Sequence, residues 1–437
     1  MVPSGWESVR LNKISETVTS GSRDWAQYYS DSGSKFIRMT NLPRDGIYLK
    51  LDDLKFVNVQ SDSSDGKRTS LKEGDLLISI TAELGKIGWV PPELGEAYIN
   101  QHIALVRIKK DFAESKFIAY LLSSHAMNHK INRLNDSGAK AGLNLPTIRS
   151  IPIALPPPTE QRKIAKILST WDKAIGTTEK LIETSKRQKK ALMQQLLTGK
   201  KRLVKGTSSR SVREGFALSK IGDIPDDWKM ELISKHYWYQ EGPGVRKHQF
   251  KETGVKLFNG TNIQQSRIDL SNTSTCISSE EAYGPYSHFL ADSGDLVIAC
   301  SGISVERFDE KIAFINEAHL PLCMNTSTMR FKVKSEATAC LTFMRYFMMS
   351  DLFKNQIRRQ ITGSAQLNFG PSHMAKCFIP MPPLEEQKKI SSVLSCADKE
   401  VDILEARLSH IKREKKALMQ QLLTGKRRVK VAETEAA

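Results

Sequence analysis

The sequence predicts a mixed α/β protein: two α/β heads separated by two long antiparallel coiled-coil helices, with pseudo-two-fold symmetry. Three observations predict it. The string Lys-Lys-Ala-Leu-Met-Gln-Gln-Leu-Leu-Thr-Gly-Lys stands at Lys189–Lys200 and again, unchanged, at Lys415–Lys426, an offset of 226. An apolar seam at helical spacing precedes both copies. Upstream of each seam lie short apolar runs punctuated by turn residues, the pattern of a small mixed α/β unit.

The repeat is larger than the string. Leu155-Pro156-Pro157-Pro158-Thr159-Glu160-Gln161 aligns with Met381-Pro382-Pro383-Leu384-Glu385-Glu386-Gln387 at the same offset. Further upstream, Val2-Pro3-Ser4-Gly5-Trp6 matches Ile224-Pro225-Asp226-Asp227-Trp228. Thr40-Asn41-Leu42 matches Thr261-Asn262-Ile263, and Gly74-Asp75-Leu76-Leu77-Ile78 matches Gly294-Asp295-Leu296-Val297-Ile298. The offsets there drift to between 220 and 222, so the heads have gained and lost residues while the helices have not. The expected divisions are a first head at 1–155, a first long helix at 156–202 and a linker at 203–220. A second head at 221–381 and a second long helix at 382–426 follow. A tail at 427–437, expected to be flexible, ends the sequence.

Each long helix is argued from its seam. Steps of three and four pass through Ile164, Leu168, Trp171, Ile175, Thr178, Ile182, Ser185, Lys189, Leu192 and Leu196. The second copy runs Ile390, Leu394, Ala397, Val401, Leu404, Leu408, Ile411, Lys415, Leu418 and Leu422. An apolar repeat sustained this long is a coiled-coil pattern. Prolines can stand only before each helix or in its first turn. Gly199 and Gly425 occupy the position of a C-terminal cap, and basic residues follow each. A parallel pair would set Lys189 against Lys415. An antiparallel pair sets Lys189 against Ala397 and Lys415 against Trp171, where a cation–π contact is available. Antiparallel packing is expected, carrying the heads to opposite ends. At 1.5 Å per residue each helix spans roughly 55–60 Å, or about sixteen to eighteen base pairs of duplex at 3.4 Å each.

In the heads, Leu76–Ile80, Ile103–Ile108, Leu296–Cys300 and Thr328–Val333 read as strands. Phe117–Leu122 and Leu341–Met349 read as short helices. There is no phosphate loop, no nucleophile elbow, no HExxH and no Cys/His cluster, so no catalytic and no metal residue is assigned. Glu83-Leu84-Gly85-Lys86 after Asp75 lacks the spacing of a nuclease carboxylate set, and His102 and His125 read as ordinary core or surface residues. The six cysteines form no CxxC pair, which fits a reducing cytoplasm. The sequence has no membrane-length apolar run.

The formal charge of +17 draws such a protein to polyanions, nucleic acid first. Residues 160–202 hold 12 basic and 4 acidic side chains, and residues 385–430 hold 12 and 7, so +13 of the excess lies on the helices. The helices would lie along DNA or meet an acidic partner. Base-reading chemistry needs side chains able to form paired hydrogen bonds, with cations for phosphates. The first head offers Lys35, Arg38, Thr40, Asn41 and Arg44. The second offers Asn259, Thr261, Asn262, Gln264, Gln265 and Arg267. The alternative reading of each Thr-Asn is a turn that caps backbone groups. A second loop before each long helix, with Lys140 and Asn144 in one copy and Gln366 and Asn368 in the other, is either a DNA loop or a helix-docking turn.

Head–helix–head–helix order, the Pro-Pro…Glu-Gln helix starts at Pro157–Gln161 and Pro383–Gln387, and the twelve-residue string written twice together form a specific signature. The sequence resembles, over essentially its full length, the DNA specificity subunit of type I restriction–modification systems. That resemblance implies two target-recognition domains, each reading half of a bipartite site in double-stranded DNA. It implies conserved helices that space them and dock two modification (methyltransferase) subunits, with restriction (motor-nuclease) subunits joining. S-adenosylmethionine, ATP and magnesium would then reside on those partners, and this protein would be non-catalytic. Two other readings are open: a coiled-coil DNA-binding scaffold or adaptor without sequence choice of its own, and an enzyme whose heads cleave or methylate DNA.

Overall fold

The computed structural model describes residues 2–21, 25–134, 142–203, 216–219, 222–336, 338–360 and 368–430. Most of the expected linker at 203–220, and residues 431–437 of the expected tail, lie outside this set. The protein divides into two compact units. One comprises Met1–Lys180 with Glu405–Ala437, the other Leu181–Leu404. Each unit therefore holds one head and parts of both long helices.

The long helices run Pro158–Leu197 and Leu384–Leu422. Their starts are fixed by the Glu-Gln pair. Gln161 donates through Nε2 to the Pro156 carbonyl and accepts through Oε1 from the backbone N–H of Glu114. Gln387 does the same between the Pro382 carbonyl and the N–H of Cys340. Both glutamines are fully buried, so each links a head loop to a helix at a point sealed from water. Both helices stop at the expected glycines, in the left-handed region at φ +69° for Gly199 and +66° for Gly425. The Lys201 N–H returns to the Gln195 carbonyl at 3.0 Å and that of Arg427 to Gln421 at 3.1 Å, which satisfies the last turn. A Cβ on Gly199 would lie 2.2 Å from Pro225, and one on Gly425 2.4 Å from Pro3, so close packing as well as φ demands glycine.

Within the first unit, Lys415 pairs with Asp172, Lys412 with Glu179 and Arg428 with Glu160. Within the second, Lys189 pairs with Asp398, Ser185 donates to Glu400 and Arg202 pairs with Glu386. As position rises on one helix it falls on the other, so the helices are antiparallel in both units. Seam residues Ile164, Leu168, Ile182, Leu196, Ile390, Leu394, Val401 and Leu422 are buried. Trp171, Ile175, Leu192, Leu404, Leu408, Ile411 and Leu418 are half-buried. The deepest ones join head cores: Ile164, Leu168 and Leu422 pack into the first, Leu196, Ile390 and Leu394 into the second. The partner of Lys415 differs in detail from the expectation. The lysine reaches one residue past Trp171 to Asp172 and lies over the ring of Tyr120, 5.4 Å from its centre. A charged seam residue extends to the nearest carboxylate rather than resting on an apolar face.

Each head is built on a four-stranded antiparallel sheet. Its order is Ser15–Ser20, Ile103–Ile108, Leu76–Ser79, Ile87–Trp89 in one and Tyr237–Glu241, Thr328–Val333, Leu296–Ala299, Ile312–Phe314 in the other. The four runs read as strands from sequence are the inner strands of these sheets; Leu76–Ser79 and Leu296–Ala299 are buried throughout, while Ile103–Ile108 carries Arg107 and Thr328–Val333 carries Arg330 and Lys332. The helices Ser115–Ser123 and Leu341–Met349 contribute Phe117, Tyr120, Phe343 and Tyr346 to the same cores. A second small sheet in each head contains one parallel pair: Ser34–Ile37 with Ala97–Ile99, and Val255–Phe258 with Leu322–Met324. The Gly-Asp turns open inner strands because their aspartates are buried anchors. Asp75 takes both Nε and Nη2 of Arg107, at 2.8 and 2.7 Å, and Asp295 takes Nη1 of Arg330 at 3.1 Å. No described helix is long and apolar enough to cross a membrane.

Candidate nucleic-acid interface

The Thr-Asn pairs stand in equivalent places, on a tight turn that follows an inner strand of each small sheet. The asparagine is buried in both heads. Asn41 accepts from the Arg38 N–H at 2.9 Å and donates to the carbonyls of Lys50 and Asp53. Asn262 accepts from the Asn259 N–H at 2.9 Å and donates to the Asp269 carbonyl and to Thr273 Oγ1. Each amide thus closes its loop by satisfying backbone groups, work that Asn does better than any apolar residue. The threonines beside them, Thr40 and Thr261, are exposed.

Around these turns the heads differ. Arg38 is half-buried and pairs with Asp53 at 3.0 Å. Arg44 is exposed and pairs with Glu83 at 3.1 Å, and Lys86 pairs with Glu83 as well, so two cations hold that carboxyl below its ordinary range. Lys35 turns away to the Leu94 carbonyl. In the second head Asn259 accepts from Asn325 Nδ2 at 2.9 Å and from Ser327. Gln264, Gln265 and Arg267 are exposed on a two-residue hairpin between Ile263–Gln264 and Arg267–Ile268. Gln265 and Ser266 both take positive φ, +50° and +59°, the geometry of a tight hairpin turn at the cost of some strain. Ser266 braces the turn by donating to the carbonyls of Asp309 and Glu310. Arg267 pairs with Asp402 of the second long helix at 2.6 Å.

In the second head Asn368, the described residue of the loop before the second long helix, comes together with the Thr-Asn turn. Asn259 and Thr261 line a cleft of about 270 Å³ with Ser301, Gly302, Lys311 and Ser327. Asn368 closes its edge, accepting from Ser301 Oγ at 3.0 Å and from the Gly302 N–H at 2.8 Å. Lys311 donates to the Ile263 carbonyl at 2.6 Å, and burial, followed by repulsion from Arg307, lowers its pKa. In the first head, Thr81 bridges to Gly142 and binds His102 Nδ1 at 2.8 Å, while Asn144 is exposed and caps the helix Leu145–Ser150. Lys140 and Gln366 lie outside the described residues. Sequence reading missed Ser301, Ser327 and Lys311. Their signal was their position next to the inner strands, since Ser301 follows the Leu296–Ala299 strand and Ser327 precedes its neighbour.

These polar surfaces suit hydrogen bonding to base edges and phosphates. Asp75 is committed to Arg107 and Glu83 to two cations, and no group of three or more His, Cys, Asp or Glu able to hold a metal occurs among the described residues.

A family model described as the type I restriction modification DNA specificity domain matches twice, over residues 3–186 and 226–413. Two curated relatives are similar over 98% of this protein. The type I restriction enzyme MjaVIII specificity subunit of Methanocaldococcus jannaschii is 27% identical with 94% of its length covered. The putative MjaX specificity subunit of the same organism is 26% identical with 95% covered. Among solved structures, the type I restriction–modification S subunit from M. genitalium matches with a TM-score of 0.58 at 12% identity, over 99% of this protein and 97% of that one.

Proposed function

The chain belongs to the type I restriction–modification DNA specificity family, and from that footing we propose how it divides the work between its parts. It is a non-catalytic specificity subunit with two specificity domains. Each head reads one half of a bipartite double-stranded target. In the second head the reading surface is the cleft edge and hairpin, with Thr261, Gln264, Arg267 and Asn368 exposed on it, while Asn259 and Asn262 hold it in shape. In the first head Thr40, Arg44 and Asn144 occupy the corresponding exposed places, and Arg38 and Asn41 support them. The repeated helices offer two equivalent docking places for two modification subunits, and restriction subunits join that assembly in the cytoplasm. S-adenosylmethionine is assigned to the modification subunits and ATP with magnesium to the restriction subunits.

One observation carries this reading. The last twelve residues of each helix segment recur unchanged, and the helices align without a gap at a single offset, whereas the exposed side chains on the two reading surfaces differ in kind: Arg44 opposite Glu83 on one, Gln264 and Gln265 on the other. Identical partners require identical docking places, and an asymmetric target requires different readers. Methylome mapping of cells with and without the gene tests it. A bipartite methylated motif that vanishes with the gene is the expected result. Loss of methylation at no defined motif, together with no preferred site in a selection from random duplexes, would leave only an adaptor without sequence choice.

A further inference from the structure

We propose that Tyr120 and Tyr346 are positioning residues that fix the angle of each head on its helices, and thereby the single interval allowed between the two half-sites. The inference rests on the bipartite reading above. In the first unit the Tyr120 hydroxyl donates to Asp172 Oδ2 at 2.5 Å and contacts Ser169 Oγ at 3.3 Å, while Lys415 Nζ donates to Asp172 Oδ1 at 2.5 Å. In the second unit the Tyr346 hydroxyl donates to Asp398 Oδ2 at 2.7 Å and lies 3.1 Å from Ser395 Oγ, while Lys189 pairs with Asp398 Oδ1. One carboxylate therefore joins three elements: the head helix that carries the tyrosine, its own long helix, and the opposite long helix.

The constellation is written twice at one offset. Tyr120, Ser169, Asp172 and Lys189 stand 226 positions before Tyr346, Ser395, Asp398 and Lys415. Tyr120 and Tyr346 belong to the diverged heads, yet they keep the register of the helices they bind. Both tyrosines have less than 2% of their surface exposed, within short helices packed on the head sheets, so their hydroxyls move only if the head moves.

The remaining contact between head and helices is largely apolar, and apolar burial is non-directional. The second unit adds Arg345 to Asp398 and Arg267 to Asp402, but the direction common to both units comes from two places. One is the latch at the helix ends, where Glu160 accepts from Trp6 Nε1 at 3.2 Å and from Arg428 at 2.8 and 2.7 Å. Its counterpart is Glu386 with Trp228 and Arg202. The other is the tyrosine bond, about 18 Å further along the helix at 1.5 Å per residue. Two separated attachment points define an angle; in the first unit, one alone leaves a pivot. The bond is short and charge-assisted, so a displacement of the head by an ångström breaks it.

The test uses the complete system with Tyr120→Phe, Tyr346→Phe and the double variant, which remove a hydroxyl and keep the ring. Purified complexes are assayed for methyl transfer to duplexes whose half-sites are constant and whose gap varies by single base pairs. Thermal melting runs alongside. The expected result is unchanged half-site sequences with at least about a tenfold loss of preference for the native gap over neighbouring gaps, the scale set by one hydrogen bond to a charged group. A purely stabilising role would lower transfer equally at every gap, and either that outcome or an unchanged gap preference overturns the proposal. If the wild-type complex itself shows no fixed gap, the bipartite reading has failed first, and the two failures are distinguishable in one data set.

Discussion

In the unit containing Met1–Lys180 the carboxylate of Asp172 meets one cation, Lys415; in the unit Leu181–Leu404 the carboxylate of Asp398 meets two, Lys189 and Arg345. The same inequality recurs at the latches. Among the described residues Arg428 binds one carboxylate, Glu160, whereas Arg202 is shared between Glu386 and Asp227. The helix residues match at every one of these points. The extra charges come from the heads, where Arg345 stands in place of Ala119 and Asp227 in place of Gly5. At the aspartate the second unit thus has a spare cation and the first depends on Lys415 more strictly; at the latch it is the arginine that gains a second acceptor, so the second unit depends more on Arg202.

Substitutions can break that comparison. Lys415→Met leaves Asp172 with only a hydroxyl in a site where the lysine is 9% exposed, and should cost the first unit about 3 kcal/mol. Lys189→Met leaves Arg345 in place and should cost the second unit only about 1 kcal/mol. Hydrogen exchange resolved by unit reads both, and equal losses would refute the claim of redundancy. At the latches the order should reverse. Arg202 is 19% exposed and Arg428 44%, so Arg202→Ala should cost about 2 kcal/mol and Arg428→Ala about 1 kcal/mol, measured as shifts in urea midpoint.

The pH dependence sharpens the same comparison. Burial, then the neighbouring Asp398, raises the Tyr346 phenol from 10 to about 12 against the opposing effects of Ser395 and Arg345. A raised value means the folded state holds the proton longer, so this contribution is complete below pH 10 and is lost as pH rises from 10 to about 12. Tyr346→Phe should lessen the slope of the second unit's stability profile in that window, while Cys300, Cys323 and Cys377, whose thiols burial also raises, keep part of it. Tyr120 is raised further still, by burial and then by Asp172, so the wild-type first unit should keep its slope beyond the window. The smallest effect is expected at the hairpin. Arg267 and Asp402 are 67% and 56% exposed, so Arg267→Ala should change stability by less than about 0.5 kcal/mol while still affecting DNA binding.

The helices were legible in the sequence because their signals are local and redundant: a seam, prolines at the start and a left-handed glycine at the end, each written twice. The inner strands were legible because burial leaves them mostly apolar, as in Leu76–Ser79 and Leu296–Ala299. Short edge strands such as Tyr29–Ser30 were not, since two paired residues carry no period. The antiparallel direction followed from Lys189 and Lys415, but their acceptors did not, because Tyr120 and Tyr346 lie about 50 residues away in sequence from the aspartates they bind. On the candidate surface, sequence could find Asn41 and Asn262 but not assign their amides, since the groups that read a base edge also cap a turn. Burial separates those roles, and burial is set by the fold as a whole.

The first unit is assembled from two stretches separated in sequence, Met1–Lys180 and Glu405–Ala437. Glu160 waits for Arg428, and Ile164 and Leu168 wait for Leu422 and Leu423. During synthesis the first head emerges with its helix seam uncovered, and the stretch Leu181–Leu404 must be made before the covering residues exist. At about 5–20 residues per second that exposure lasts roughly 10 to 45 seconds. In the second unit Arg202 waits likewise for Glu386 and Lys189 for Asp398, but the residues made in between are that unit's own head. Division of one unit across the sequence therefore makes ribosomal timing and chaperone shielding part of how the first head matures.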